Sequence, residues 1–112
     1  MAARRRQARV RYLPRAKRDV FECALYLADT AGVPTAERFM DAIEKTQARI
    51  ADNPAVGSPR AFPDPRLRGL RQWPVRGFRN YLVYYVLSSD DVRIVRVLHA
   101  ARDRSTLRCG LP

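Results

Sequence analysis

The residues best suited to chemistry lie near the end of the chain, where the sequence RVLHAARD runs from residue 96 to residue 103. His99 is the single histidine of the chain, and an imidazole titrates near neutral pH, as a general acid or base must. Cleaving an RNA backbone needs such an acid–base pair together with cations for the phosphate. The arginines able to supply those cations are Arg71, Arg76, Arg79, Arg96 and Arg102.

A partner for His99 is missing from the sequence. Asp64 is the only carboxylate between residues 58 and 89, and residues 100–112 contain neither a second histidine nor a tyrosine. The sequence therefore favours a structural role for His99 at a strand end, with its imidazole bonded to the backbone or to Asp103 so that the last turn is fixed. If the protein were a nuclease, the weak catalytic candidates would be Arg79, His99 and Arg102.

Charge is unevenly distributed along the 112 residues, whose formal net charge is +11. Residues 1–18 carry eight basic and no acidic side chains, residues 19–57 carry three basic and seven acidic ones, and residues 58–112 carry eleven basic and four acidic ones. Such a chain is expected to fold with two electrostatically different faces. The basic face would suit nucleic acid or an acidic protein surface, although any single arginine is more simply explained as solvated surface.

The length and apolar content of the chain indicate a single domain. We expect the protein in a reducing compartment. Cys23 and Cys109 are far apart and form no CxxC pair, so we expect no disulfide framework, no metal site and no cofactor. The basic start MAARRRQAR is not followed by an apolar run of signal-peptide length, and nowhere do about eighteen apolar residues occur in succession. We therefore expect a cytoplasmic protein without membrane contact.

Hydrophobic periodicity predicts a strand and two helices in the first half of the chain. Residues 8–13 alternate small or apolar with basic side chains, as a short edge strand does. Residues 15–31 repeat apolar side chains at spacings of three and four, which predicts a helix that Gly32 ends, and a second helix follows up to residue 52. Their link is so short that the helices must form an antiparallel hairpin. Its predicted core includes Phe21, Leu25, Phe39 and Ile43.

The second half predicts a loop and three strands. Residues 54–68 hold four of the eight prolines, which indicates an irregular loop. Three strands follow: a short one at 69–75, a central one at 80–87 with apolar side chains on both faces, and a returning one at 92–99. The predicted fold class is α+β: an N-terminal strand and an α-helical hairpin packed on one face of a small antiparallel β-sheet, with the other face open at least in part.

Over residues 10–104 the sequence resembles the ParE branch of the RelE/ParE superfamily of bacterial toxins. The segments that carry the resemblance, by their order and spacing, are LPRAKRDVFECALYLAD, PTAERFMDAIEK, NPAVGSPR, YLVYYVL and VRIVRVLHAARD. The fold of that superfamily agrees with the predicted one. Residues 1–9 would then be a basic N-terminal extension and residues 105–112 a C-terminal tail.

The resemblance implies a toxin of a type II toxin–antitoxin module that a ParD-like antitoxin neutralises. Such an antitoxin has a ribbon–helix–helix DNA-binding N-terminus, so operator DNA would be contacted only through it, within a hetero-oligomer. ParE-type toxins inhibit DNA gyrase, whereas RelE-type relatives cut messenger RNA in the ribosome and commonly place a tyrosine or histidine near the C-terminus. Since that element is missing here, we expect gyrase inhibition by binding rather than an enzyme. A RelE-like endoribonuclease and a plain basic nucleic-acid-binding module remain as alternatives.

Two interaction surfaces are predicted on this basis. An apolar sheet face left open would form a groove that an amphipathic helix of an acidic antitoxin fills, and its assigned residues are Tyr12, Leu25, Tyr84 and Val86. The target would be bound by the exposed basic ends, namely the N-terminal arginines and the set Arg71, Trp73, Arg102, Asp103 and Arg104. The aromatic side chains of Trp73, Tyr81, Tyr84 and Tyr85 are able to stack on bases, but filling a small core is their commoner role.

Overall fold

Two helices and a five-stranded sheet make up the part of the chain that the structure, a computed structural model, describes: residues 8–62 and 64–103. The N-terminal extension before Ala8, the C-terminal tail and Cys109 lie outside the described residues. The elements are β1 (Arg9–Tyr12), α1 (Pro14–Ala31), α2 (Val33–Asp52), β2 (Ser58–Pro59), β3 (Arg71–Val75), β4 (Phe78–Ser88) and β5 (Asp91–His99).

The strand order is β1-β5-β4-β3-β2. Strands β2 to β5 pair antiparallel, and a tight turn at Ser89 and Asp90 joins β4 to β5. β1 instead pairs parallel with β5, with Tyr12 opposite Ile94. The predicted α+β class is thus confirmed, but the sheet is mixed rather than wholly antiparallel. The reason is that no hairpin joins β1 to its neighbour, since the helices and three strands lie between them in the chain.

The helical hairpin forms as its sequence predicts. Pro14 occupies the first turn of α1, where its missing N–H is no loss. Gly32 alone separates α1 from α2, and its φ of 97° is a conformation that a side chain would disfavour. Because the connection is a single residue, the two helices lie side by side and antiparallel.

The main core lies between the hairpin and one face of the sheet. Phe39 and Ile43 of α2 are buried there as predicted, whereas Phe21 and Leu25 of α1 are 63% and 54% exposed. The prediction for these two residues is wrong, because α1 buries a neighbouring stripe and turns them outward. That stripe, with its main partners in the sheet, consists of Ala16, Val20, Cys23, Leu27, Val83, Tyr85, Ile94 and Val97.

A second, smaller core covers the other face of the sheet. Leu67 and Leu70, from the proline-rich loop between β2 and β3, pack on Tyr84, Val95 and Leu98. Tyr84 is only 1% exposed as a result. The loop therefore covers these residues on the sheet face that we expected to lie open. Within the described residues, neither helix is apolar enough over a sufficient length to span a membrane.

Candidate functional site

The end of β5 and the following turn, residues 99–103, form a C-terminal corner held by its own side chains. Nδ1 of His99 accepts hydrogen bonds from the backbone N–H groups of Ala101 and Arg102, at 3.2 and 3.0 Å. The Asp103 carboxylate accepts one from the backbone N–H of His99 at 2.8 Å. The prediction that the imidazole of His99 bonds to the backbone and fixes the last turn is confirmed.

The surroundings of His99 favour the neutral imidazole. Partial burial and the nearby Arg102 guanidinium lower the pKa of His99, while Asp103 acts in the opposite direction. Since Nδ1 accepts both hydrogen bonds, the proton of the neutral ring lies on Nε2. The ring also packs edge-on against Tyr81, with 4.8 Å between the ring centroids. Because Nδ1 is hydrogen-bonded to the backbone, only Nε2 of this imidazole is available for proton transfer to a substrate.

Arg102 of the same corner is stacked on aromatic rings. Its guanidinium lies 4.1 Å from the centroid of the Tyr26 ring and 5.5 Å from that of Tyr81, and it donates a hydrogen bond to the Tyr81 hydroxyl at 3.2 Å. Cys23 lies in the same concavity of about 260 Å³, and burial raises the pKa of its thiol to about 11. The thiol is therefore protonated and unreactive at neutral pH.

A buried ion pair lies beside this corner and joins α1 to β5. The Asp19 carboxylate accepts hydrogen bonds from Nε and a terminal nitrogen of Arg96, at 2.7 and 3.1 Å, and from the backbone N–H of Val97 at 3.0 Å. Asp19 and Arg96 are 4% and 5% exposed. Arg15, one turn before Asp19, approaches the same carboxylate at 3.6 Å. This arrangement links α1 to β5, and little of either side chain is exposed.

A separate surface carries an open basic cleft between α2 and β3. Two concavities of about 480 and 460 Å³ lie there and share Lys45 and Arg76. We call this cleft the α2–β3 groove. Its defining residues are Arg38, Lys45, Arg49, Trp73, Arg76 and Phe78.

Hydrogen bonds hold the two walls of the α2–β3 groove together. The hydroxyl of Thr46 accepts from the backbone N–H of Arg76 at 3.1 Å and donates to the Ala42 carbonyl at 2.7 Å. Phe78 packs edge-on against the buried ring of Phe39, with centroids 5.3 Å apart. The groove is thus tied to the core even though its basic side chains point outward.

The loop after α2 is held by Tyr85. Its hydroxyl donates to the Pro54 carbonyl at 2.6 Å and accepts from the Gly57 N–H at 2.8 Å. Arg71 then donates to the carbonyl oxygens of Gly57 and Ala55. The loop after α2 is therefore fixed against β3 and β4 by side chains on those strands.

These contacts divide the arginines that we considered for holding a phosphate. Arg96 is wrong for that role, because it is buried and bound to Asp19. The Arg71 guanidinium donates hydrogen bonds to backbone carbonyl groups, and the Arg102 guanidinium stacks on tyrosine rings. Arg76 and Arg79 are exposed. No described carboxylate pairs with His99 to give the acid–base arrangement of a nuclease, since Asp103 is bonded to its backbone.

The residues assigned to target binding lie on two separate surfaces. Arg71 and Trp73 lie on β3 beside α2, whereas Arg102 and Asp103 lie in the C-terminal corner beside α1. Arg104 is outside the described residues. Of the aromatic side chains considered for stacking, Tyr81, Tyr84 and Tyr85 are buried and only Trp73 remains partly exposed.

The residues assigned to the antitoxin groove are not brought together either. Tyr12 donates its hydroxyl to Gln47 of α2 at 2.9 Å, and burial, with a smaller effect of Glu44, raises the pKa of Tyr12 to about 12. Leu25 faces outward from α1, while Tyr84 and Val86 lie on the sheet face that the loop covers. These four residues therefore do not line a single groove.

Exposed apolar side chains lie instead on the helices. Phe21 and Leu25 are one turn apart on α1, and Val33 and Met40 are two turns apart on α2. We call these four residues the hairpin patch. Sequence reasoning missed it, because Phe21 and Leu25 were assigned to the core. The available signal was that α1 carries more apolar residues than one buried stripe accommodates.

Comparisons with known proteins agree on one family. The family model described as "ParE toxin of type II toxin-antitoxin system, parDE" matches residues 10–104. No curated protein sequence matches significantly. Among eleven solved chains that match, one from the chromosomal ParDE toxin–antitoxin system of P. aeruginosa superposes with a TM-score of 0.68 at 13% identity, covering 85% of this chain and 98% of that chain. At this identity the structural match supports the fold.

Proposed function

Because the chain belongs to the ParE toxin family of type II toxin–antitoxin systems, we propose that it arrests growth by binding DNA gyrase and that a ParD-like antitoxin holds it inactive. The proposal concerns the target and the identity of the antitoxin. The observation that carries it is that two of the three candidate nuclease groups, His99 and Arg102, are bound to other groups of the fold.

Three contacts support binding over RNA cleavage. Nδ1 of His99 is an acceptor for two backbone N–H groups, and the guanidinium of Arg102 is stacked on Tyr26. Arg79, the third nuclease candidate, is exposed on β4, and in the described ranges neither Arg79 nor His99 forms an ion pair with a carboxylate. Cleavage needs an acid, a base and cations that converge on one phosphate. Binding requires only a complementary surface.

The target is tested with purified gyrase and with translating ribosomes. We expect the protein to inhibit gyrase supercoiling and to leave messenger RNA uncut in primer-extension assays. His99→Gln is expected to retain growth arrest, since the imidazole acts as scaffold. Transcripts shortened on ribosomes, with gyrase turnover unchanged, would favour the RelE-like alternative, and DNA binding without growth arrest would favour the plain nucleic-acid-binding module.

The antitoxin is proposed to cover the hairpin patch. A monomer does not normally expose so many large apolar side chains on one pair of helices, and an amphipathic partner segment is the usual way to cover them. An acidic antitoxin would in addition be attracted by the net charge of +11. In this proposal the complex is a cytoplasmic hetero-oligomer that reaches operator DNA only through the antitoxin.

Substitutions in the hairpin patch test this assignment. Phe21→Ser with Leu25→Ser removes two exposed apolar anchors and is expected to weaken co-purification with the antitoxin at least tenfold, in the range of interface hot spots. Leu87→Ser is the matched control, because Leu87 is 48% exposed on β4, away from the helices. Retention of full antitoxin affinity by the double variant, or equal loss in the control, would place the antitoxin elsewhere.

The target-binding residues remain those assigned from the sequence. Arg71 with Trp73 and Arg102 with Asp103 are proposed as contacts to gyrase, and Arg104 as an extension of the second pair. Because the two pairs lie on separate surfaces, alanine variants of each pair are to be compared in the supercoiling assay. Loss of inhibition in one pair alone would identify the surface that gyrase contacts.

A further inference from the structure

We propose that the α2–β3 groove binds a single strand of nucleic acid through its phosphodiester backbone, with Trp73 as a stacking surface for a base. This inference goes beyond the proposed function and does not depend on gyrase being the target. It rests on the charges, the shape and the aromatic lining of the groove.

The cations of the groove lack internal partners. Lys45, Arg49 and Arg76 make no side-chain ion pair with any residue in the described ranges, and Arg38 donates only to the neutral Thr35 hydroxyl at 3.0 Å. Asp41 is the single carboxylate among the described residues that line the two concavities. Like charges held close together repel one another, and an anionic ligand in the groove would relieve that repulsion.

The cations are arranged in a row. On α2, Lys45 and Arg49 are one turn apart, and Arg38 lies two turns before Lys45. At the rise of an α-helix, this row is about 16 Å long. Arg76 lies across the groove from it, since it lines both concavities together with Lys45. A row of charges on one wall with a cation opposite matches a polymer with a repeating charge better than it matches a single small anion.

Aromatic side chains lie between these charges. Trp73 lines the same concavity as Lys45, Arg49 and Arg76, and Phe78 lines the adjoining one. Stacking on such rings tolerates every base, because each base has a π-face. The Thr46 hydroxyl is already bonded to Ala42 and Arg76. The described lining therefore holds no free hydroxyl to read a 2′-OH, and DNA and RNA strands are expected to bind alike.

An acidic peptide is the competing occupant, and the backbone of β3 argues against it. A peptide strand would add, through main-chain hydrogen bonds, to residues 73–75 of β3, the part of its edge that β2 leaves unpaired. Pro74 has no N–H to donate and lies next to Trp73 in that strand. The α2 wall offers side chains only, because helical N–H groups are bonded within the helix.

Trp73 is the only tryptophan of the chain, so its fluorescence reports directly on the groove. Titration of the full chain with oligo-dT and oligo-rU of about 12 nucleotides, a length within the usual range of site sizes, is expected to change this fluorescence to saturation. Lys45→Ala with Arg49→Ala is expected to weaken binding about tenfold and to reduce the slope of log K against log salt by about 1.4, two contacts at about 0.7 each. Lys17→Ala with Arg18→Ala removes the same charges from the first turns of α1 and is expected to change neither the affinity nor the salt slope.

A second variant separates stacking from charge. Trp73→Phe, followed by anisotropy of a labelled oligo-dT, is expected to weaken binding with an unchanged salt slope. Equal weakening by the Lys17/Arg18 and Lys45/Arg49 variants would overturn the inference, as would a fluorescence change caused by a poly-glutamate peptide but by neither oligonucleotide. The assays contain no gyrase, so their failure leaves the proposed function untouched.

Discussion

Basic side chains lie at and beside the C-terminal corner and also in the α2–β3 groove, but they have different surroundings in the two places. Beside the corner, Arg96 is buried on the Asp19 carboxylate, and within it Arg102 is stacked on Tyr26 and bonded to Tyr81. In the groove, Lys45, Arg49 and Arg76 have no carboxylate partner among residues 8–62 and 64–103. Cations of the first kind are held by partners within the fold, whereas those of the second kind have no ion-pair partner in the described ranges.

This difference shows why a count of arginines says little about binding. Arg96 on β5 and Arg76 in the turn after β3 are the same residue type, but only Arg76 is exposed. The decisive feature is the partner of each guanidinium, and for Arg96 that partner is 77 residues away in the sequence. The comparison predicts large stability effects in one region and large binding effects in the other.

The largest effect on stability is expected from Asp19→Asn. It leaves the Arg96 guanidinium buried without its counter-charge, which is expected to lower the free energy of unfolding by about 3–5 kcal/mol. Equilibrium urea unfolding measures this change. Asp29→Asn is the control, because Asp29 is exposed on the same helix, and surface changes of this kind stay within about 0.5 kcal/mol. Similar values for both variants would mean that the ion pair does not anchor α1 to β5.

A smaller effect is expected from Tyr85→Phe, which acts on the loop after α2. The change removes a hydroxyl that serves both the Pro54 carbonyl and the Gly57 N–H, and buried groups left without partners lower stability by about 1–3 kcal/mol. Urea unfolding again provides the measurement. Tyr26→Phe, at a residue that is 45% exposed, is expected to change stability less. A neutral Tyr85→Phe would show that solvent replaces both hydrogen bonds.

Most of the fold follows from local patterns. The helical hairpin and the β4–β5 pair were predictable because their apolar spacing and the Gly32 link are local signals. The parallel pairing of β1 with β5 was not, since it joins residues about 80 positions apart and depends on where the whole crossover places the chain. The covering of Tyr84 by Leu67 and Leu70 was missed for a similar reason, because a proline-rich loop carries no periodic signal.

The candidate surfaces were less predictable than the fold. The turn-fixing contacts of His99 were within reach because all partners lie within four residues. The burial of Asp19 was not, since a charged residue on a helix is expected to face solvent unless its partner is known. Once Asp19 faces the sheet, Val20 and Cys23 beside it are buried, and Phe21 and Leu25 turn outward as the hairpin patch.

The corner also predicts a pH dependence. Because the pKa of folded His99 lies below its ordinary value of 6.5, the unfolded chain binds the proton more readily. His99 therefore contributes stability that is complete above about pH 6.5 and decreases as the pH falls from there toward the lower, folded pKa. His99→Gln is expected to lower stability by about 1 kcal/mol at pH 7.5, through weaker acceptance of the Ala101 and Arg102 N–H groups. Urea unfolding is to be measured at pH 7.5 and pH 5.5. The difference in unfolding free energy between the variant and the parent is expected to be smaller at pH 5.5. A larger difference at pH 5.5 would contradict the assignment of Nδ1 as acceptor.

The smallest effect on stability is expected where the binding effect is largest. Lys45→Ala with Arg49→Ala removes two exposed cations without described ion-pair partners, so the free energy of unfolding is expected to stay within about 0.5 kcal/mol of the parent. A slight gain is consistent with relief of repulsion among Lys45, Arg49 and Arg76. Urea midpoints at low and high salt test this, because salt screens repulsion and is expected to stabilise the parent more than the variant. A loss comparable to that of Asp19→Asn would show that these cations stabilise the fold, and the distinction between the corner and the groove would then fail.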